Sequence, residues 1–145
     1  MKNLDQISEK KQNIVITLGD PAGIGIEIIL KALASNELHS EIRPVLVGCK
    51  ENINFTYEKL NAKGIEPLAN PKDLNIINIP LNDLIKAGEP NEKSGDASFK
   101  WLTSAVDLLI RGEAKALVTA PISKYFWHQA GHIYPGQTER LAEIA

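Results

Sequence analysis

The stretch ITLGDPAGIGIEI, Ile16 to Ile28, decides the fold. It sets Gly19, Gly23, Gly25 and Pro21 between an apolar run and the start of a helical pattern. Upstream, Ile14-Val15-Ile16-Thr17 is a short β-branched run of the kind found in a strand buried on both faces. Downstream, Ile28, Ile29, Ala32 and Leu33 recur at helical spacing, with Glu27 and Lys31 four apart on the polar side. Strand, glycine loop, helix is the opening unit of an α/β layer.

The same alternation continues along the chain. Pro44 to Gly48 reads as a second strand and Ile76 to Ile79 as a third, with a helix-compatible stretch around Glu58 to Lys63 between them. Pro80 to Ser94 reads as a loop. A long helix is expected from about Asp96 to Arg111, because Trp101, Leu102, Ala105, Leu108 and Leu109 mark a single face and Gly112 suits the exit. Ala116 to Thr119 is the next strand. Pro121 suits the first turn of another helix ended by Gly131, and HIYPGQ leads to a final helix that Thr138 could cap. Strands alternating with helices imply parallel crossovers, hence a doubly wound, mostly parallel sheet with helices on both faces. Met1 to Asn13 is polar and charged and is expected to be disordered, leaving 14–145 as the α/β unit. The chain stops at TERLAEIA, inside an apparent helix with no C-cap glycine, which reads as an interrupted sequence.

Composition excludes several classes of function. With 145 residues and 43% hydrophobic residues the chain can bury one ordinary core. A formal net charge of -2 with scattered Lys and Arg gives no field for nucleic acid or an anionic membrane, so neither partner is expected. The N-terminus lacks the apolar stretch of a secretory signal, and nowhere do about 18 uncharged apolar residues run together, so a cytoplasmic protein is expected. The single Cys49 permits no internal disulfide and reads as a small buried hydrophobe at a strand end.

In doubly wound sheets ligands bind at the loops leaving the C-terminal ends of the strands, so LGDPAGIG, TAPISK and YPGQTE carry the candidate chemistry. Gly19-x-x-x-Gly23-x-Gly25 matches neither the dinucleotide G-x-G-x-x-G nor the P-loop. A glycine-rich turn into a helix still exposes backbone N–H groups where the dipole favours an anion. Asp20 would repel phosphate there but could accept from a hydroxyl or an amine; equally, it could be a turn or cap residue. Lys124 is either a phosphate or carboxylate contact or a solvated surface lysine. His128 and His132 stand at i, i+4, but Gly131 lies between them and no third metal ligand is evident. Trp101 reads as core, and Trp127 as core or as a face toward a partner subunit.

Taken in order, ITLGDPAGIGIEI, Ser94-Gly95-Asp96-Ala97-Ser98, ALVTAPISK and HQAGHIYPGQTE resemble the amino-terminal half of the 4-hydroxythreonine-4-phosphate dehydrogenase family. The resemblance implies a fold similar to that of isocitrate and isopropylmalate dehydrogenases, and a chain that is the amino-terminal portion of a longer two-lobed enzyme. It implies NAD-dependent oxidation of 4-phosphooxy-L-threonine on the route to pyridoxal 5′-phosphate, in a homodimer with a divalent metal in the cleft. The family's G-H-T-E segment stands here as Gly136-Gln137-Thr138-Glu139. Substrate binding is thus implied for Gln137 and Thr138, and Asp20, Gly23 and Lys124 are candidates to line the pocket. Gln137 cannot carry the charge of an imidazolium. The family's metal-ligating histidines lie beyond the position corresponding to Ala145, and neither His128 nor His132 matches one. Two further readings remain: a dehydrogenase for another phosphorylated hydroxy acid, such as a four-carbon sugar acid phosphate, and a non-catalytic metabolite-binding fragment.

Overall fold

The computed structural model describes residues 11–145. Four strands, β1 (Gln12–Thr17), β2 (Ile42–Gly48), β3 (Asn75–Asn78) and β4 (Ala116–Thr119), form one sheet in the order β3-β2-β1-β4. Every pairing is parallel. The helices are α1 (Gly25–Ala32), α2 (Asn36–Glu41), α3 (Lys50–Ala62), α4 (Glu92–Ile110), α5 (Lys124–Gln129) and α6 (Gln137–Ile144). The path moves outward from β1 to β3 and then returns to the other side of β1 for β4. Right-handed crossovers therefore put the helices between β1 and β3 on one face and α4 on the other. This is the doubly wound α/β arrangement expected from the sequence, and its strand order reverses between β1 and β4.

Register fixes what each face buries. Val15 aligns with Val45 and Leu117, and these side chains point toward α4; Ile16, Leu46 and Ile76 form the alternate row. Val15, Leu46, Leu18, Leu30, Ile53 and Trp101 are buried together in the main core. Leu102, Val106 and Trp127 form a second cluster between α4 and α5. Trp127 is thus core, its indole N–H donating to Ser98 Oγ at 2.8 Å. Cys49 is buried at the end of β2, as its sequence context implied.

Several boundaries and faces differ from expectation, each for a local reason. β1 begins at Gln12 because Gln12 and Asn13 pair with Ile42 and Arg43, and the Asn13 carbonyl accepts from Lys115 N. Gln12 and Asn13, expected to be disordered, are therefore strand, and residues 1–10 of that expected segment lie outside the described residues. The buried face of α1 is Gly25, Ile26, Ile29 and Leu30, continued by Leu33, while Ile28 is 46% exposed. Gly25 presses so close to the Leu18 carbonyl that a Cβ would lie 2.3 Å from it, and this contact sets the helix rotation. α2 buries no residue and so leaves no periodic signal. α3 starts at Lys50, well before Glu58.

α4 starts at Glu92 rather than near Asp96. Asn91 and Ser94 form a reciprocal capping box, the Asn91 side chain accepting from Ser94 N and the Ser94 hydroxyl accepting from Asn91 N, each at 3.0 Å. α5 starts at Lys124 with Ser123 as its cap, so Pro121 stays outside the helix. Gly131, at φ +91°, closes the turn after it, as expected. Gly136 occupies the N-cap of α6, which puts Thr138 inside the first turn and not in the capping position.

Candidate functional site

The loops after β1 and β4 meet where the strand order reverses, the place at which open α/β sheets hold ligands. Asp20 N donates to the Pro121 carbonyl at 2.9 Å. Gly19, at φ +72°, has that same carbonyl where its Cβ would be, 2.3 Å away. The third loop joins through Gln137, whose amide donates to the Ala120 carbonyl at 3.3 Å. The three candidate segments therefore form one structural unit.

Within it the candidate residues take different positions. Asp20 is only 5% exposed. Its Oδ1 accepts from Ala22 N at 2.8 Å and its Oδ2 from the Ser94 hydroxyl at 3.3 Å, so it ties the glycine loop to the first turn of α4. Burial pushes its carboxyl above the ordinary value, and the two hydrogen bonds only partly oppose that. Gly23 lies exposed at the mouth, its N–H donating to the Asp20 carbonyl at 2.9 Å. Lys124 is exposed at the start of α5, beside Gly136, and makes no ion pair among the described residues. Gln137 is half-buried; its Nε2 faces Ala120 and its buried Oε1 has no partner among the described residues. Thr138 is exposed.

The glycine loop does not fit a dinucleotide. The spaces beside Gly19 and Gly25 are filled by the Pro121 and Leu18 carbonyls, so these glycines admit neighbouring backbone and leave no cradle for a pyrophosphate. The described residues do not fit a metal either: no group of at least three His, Cys, Asp or Glu side chains is arranged to hold one. His128 Nε2 stands 2.8 Å from the Tyr134 carbonyl, His132 Nε2 2.8 Å from Asp96 Oδ1, and His39 Nε2 2.7 Å from the Leu33 carbonyl.

Ser94 to Ser98, at the opening of α4, stood in the sequence only as part of the resemblance, with no role for any one residue. Ser94 holds Asp20, and Gly95 lies against the Phe126 carbonyl, where a Cβ would come within 2.2 Å. Asp96 holds His132 and Lys100, and Ser98 takes the Trp127 indole N–H. The i, i+4 pair Asp96 and Lys100 was visible in the sequence, but the long-range partners were not. A cleft of about 480 Å³ between Ile79 to Ile85 and the start of α4 is lined by Asp83, Lys93, Asp96 and Trp101. None of the five candidate residues lines it, so its size does not make it the site.

Residues 28–145 match the family model described as pyridoxal phosphate biosynthetic protein PdxA. The chain belongs to the PdxA family. A 4-hydroxythreonine-4-phosphate dehydrogenase of Synechococcus sp. (strain RCC307) is 52% identical over 131 residues, covering 90% of this chain and 39% of that protein. A D-threonate 4-phosphate dehydrogenase of Pectobacterium atrosepticum is 41% identical over 142 residues, covering 90% of this chain and 43% of that protein. The crystal structure of a 4-hydroxythreonine-4-phosphate dehydrogenase from Burkholderia phymatum superposes with a TM-score of 0.82 at 28% identity, over 93% of this chain and 44% of that one. The chain thus spans about two fifths of the length of the PdxA relatives it matches. No helix among the described residues is long and apolar enough to cross a membrane.

Proposed function

We propose that this chain supplies the amino-terminal part of an NAD-dependent 4-hydroxythreonine-4-phosphate dehydrogenase. It would act in the cytoplasm as part of a homodimer and serve pyridoxal 5′-phosphate formation. The observation that carries this reading is the joining of the three PdxA segments at the β1–β4 crevice, through Asp20 to Pro121 and Gln137 to Ala120. The reaction removes a hydride from the carbinol carbon of 4-phosphooxy-L-threonine and a proton from its hydroxyl, giving 2-amino-3-oxo-4-phosphooxybutanoate. NAD, when bound, accepts the hydride. The product is a β-keto acid and loses carbon dioxide readily.

This chain's share is binding. Lys124 brings an exposed ammonium with no ion-pair partner among the described residues for a phosphate or carboxylate, Thr138 brings an exposed hydroxyl, and Gln137 brings a buried carbonyl oxygen with no hydrogen-bond partner among those residues. Gly23 and Asp20 shape the opposite wall. Groups for the metal and for NAD would come from polypeptide corresponding to the relatives' remaining length.

Gln137 also favours a second reading. An amide where the family has an imidazole changes what the site can ask of its ligand, and one relative is named for D-threonate 4-phosphate, which has no amine. Titration of the chain with each phosphate ester, followed through the amide signals of residues 120–140, tests both readings. The first predicts shifts at Lys124, Gln137 and Thr138 with 4-phosphooxy-L-threonine, lost in Lys124→Ala. Stronger response to D-threonate 4-phosphate selects the second reading, and no response to either removes the binding role.

A further inference from the structure

The loop that brings Gln137 and Thr138 to the crevice is held from outside the crevice. His132 Nε2 donates to Asp96 Oδ1 at 2.8 Å, while Lys100 Nζ binds Asp96 Oδ2 at 2.7 Å. The His132 ring lies flat on Phe99, centroids 3.7 Å apart and planes 5° apart. On the far side of the loop, the Arg140 guanidinium stands 4.9 Å from the Phe99 centroid and 5.3 Å from that of Tyr134. It also donates to the Tyr134 hydroxyl at 3.3 Å and to Thr103 Oγ1 at 3.4 Å. His128 Nε2 meets the Tyr134 carbonyl, and Glu143 pairs with Arg140. Both ends of the segment 132–140 are thus fastened to one stretch of α4, from Asp96 to Thr103. From Gln137 onward this segment is already the helix α6, so only the residues between His132 and Gly136 are without helical support.

We propose that Asp96 and His132 are positioning residues that set where Gly136, Gln137 and Thr138 stand over the β1–β4 crevice. The inference rests on the reading that Gln137 and Thr138 meet the substrate. Asp96 and His132 do not touch it; they act through the loop. The same stretch of α4 holds Asp20 through Ser94, so one helix registers both walls of the crevice. The pair is partly solvated, with side chains 34% and 22% exposed, so its contribution to global stability is small and its effect is local order.

Backbone hydrogen exchange on the chain tests this directly. In Asp96→Ala and in His132→Ala, exchange of residues 133–140 should accelerate by about tenfold or more while that of 101–109 stays within about twofold, because local opening is decoupled from global unfolding. The double variant should be no faster than either single one, and His132→Gln, which keeps an N–H donor, should restore most of the protection. Unchanged exchange in 133–140, or equal acceleration throughout α4, or additive effects in the double variant, would overturn the proposal. In a reconstituted enzyme the same variants should raise KM with little change in kcat. Exchange needs no substrate, so a failure of the dehydrogenase reading would show as absent activity with the exchange pattern intact.

Discussion

Gly95 stands in the interior of α4 because the carbonyl of Phe126 occupies the place a side chain would need. Gly95→Ala is therefore expected to destabilise the fold by about 1–3 kcal/mol through overpacking, measured by denaturant unfolding. Asp20, held by Ser94, and Asp96, two residues further along α4, give opposite pH signatures. Burial raises Asp20 above 3.8, so its protonated form favours the fold, and that contribution is lost as pH rises through its folded value. Asp20→Asn should remove this acid-side gain. For Asp96 burial acts upward, but the hydrogen bonds and charges of Lys100 and His132 outweigh it and hold the carboxyl below 3.8. Its contribution is present above 3.8 and is lost as pH falls through the folded value. Asp96→Asn should remove that loss, as unfolding midpoints between about pH 2 and 6 would show. The candidate residues were legible as types at loop positions. Whether Asp20 faced a ligand or the protein was not, since Ser94 is 74 residues away in sequence.

At the scale of elements, the strands and the two amphipathic helices were readable because burial imposes their periods. Ala116 to Thr119 matches β4 end for end. The misses share a cause: tertiary contacts outvoted local pattern. α1 turned on the Gly25 contact, α4 gained a turn from a capping box built with Ser94 in place of the usual Glu or Gln, and α2 had no buried face to reveal it. Asn91→Ala should cost about 1 kcal/mol by removing that cap. Trp127 holds α5 to α4 through the Ser98 hydroxyl and an edge contact with Phe99 at 5.2 Å. Trp127→Ala should cost about 3–5 kcal/mol and loosen Lys124 with it, as thermal unfolding and exchange at 123–130 would report.

At the scale of the whole molecule, β4 is an edge strand of the sheet among the described residues, with Val118 51% exposed. Beside it Leu109, Leu117, Leu141 and Ile144 line an apolar groove of about 450 Å³. Unpaired strand edges and apolar grooves associate, so the chain by itself should sediment as concentration-dependent assemblies, and Val118→Lys should reduce them. A monomer at all concentrations would contradict this. The parallel order of the sheet was legible from the alternation of strands and helices, and the meeting of the loops after β1 and β4 followed from it. That β4 lies last among the described strands was not, because it depends on the order in which they pair.

The proposal that this chain carries the substrate-contacting loops of a PdxA dehydrogenase is open to direct test. The most direct measurement is NADH formation by the chain combined with the carboxy-terminal part of a cyanobacterial relative, supplied with NAD, a divalent metal and 4-phosphooxy-L-threonine. The account predicts that NADH appears only when both parts are present and falls in Lys124→Ala. A stable complex of the two parts that forms no NADH from this ester or from D-threonate 4-phosphate would contradict it.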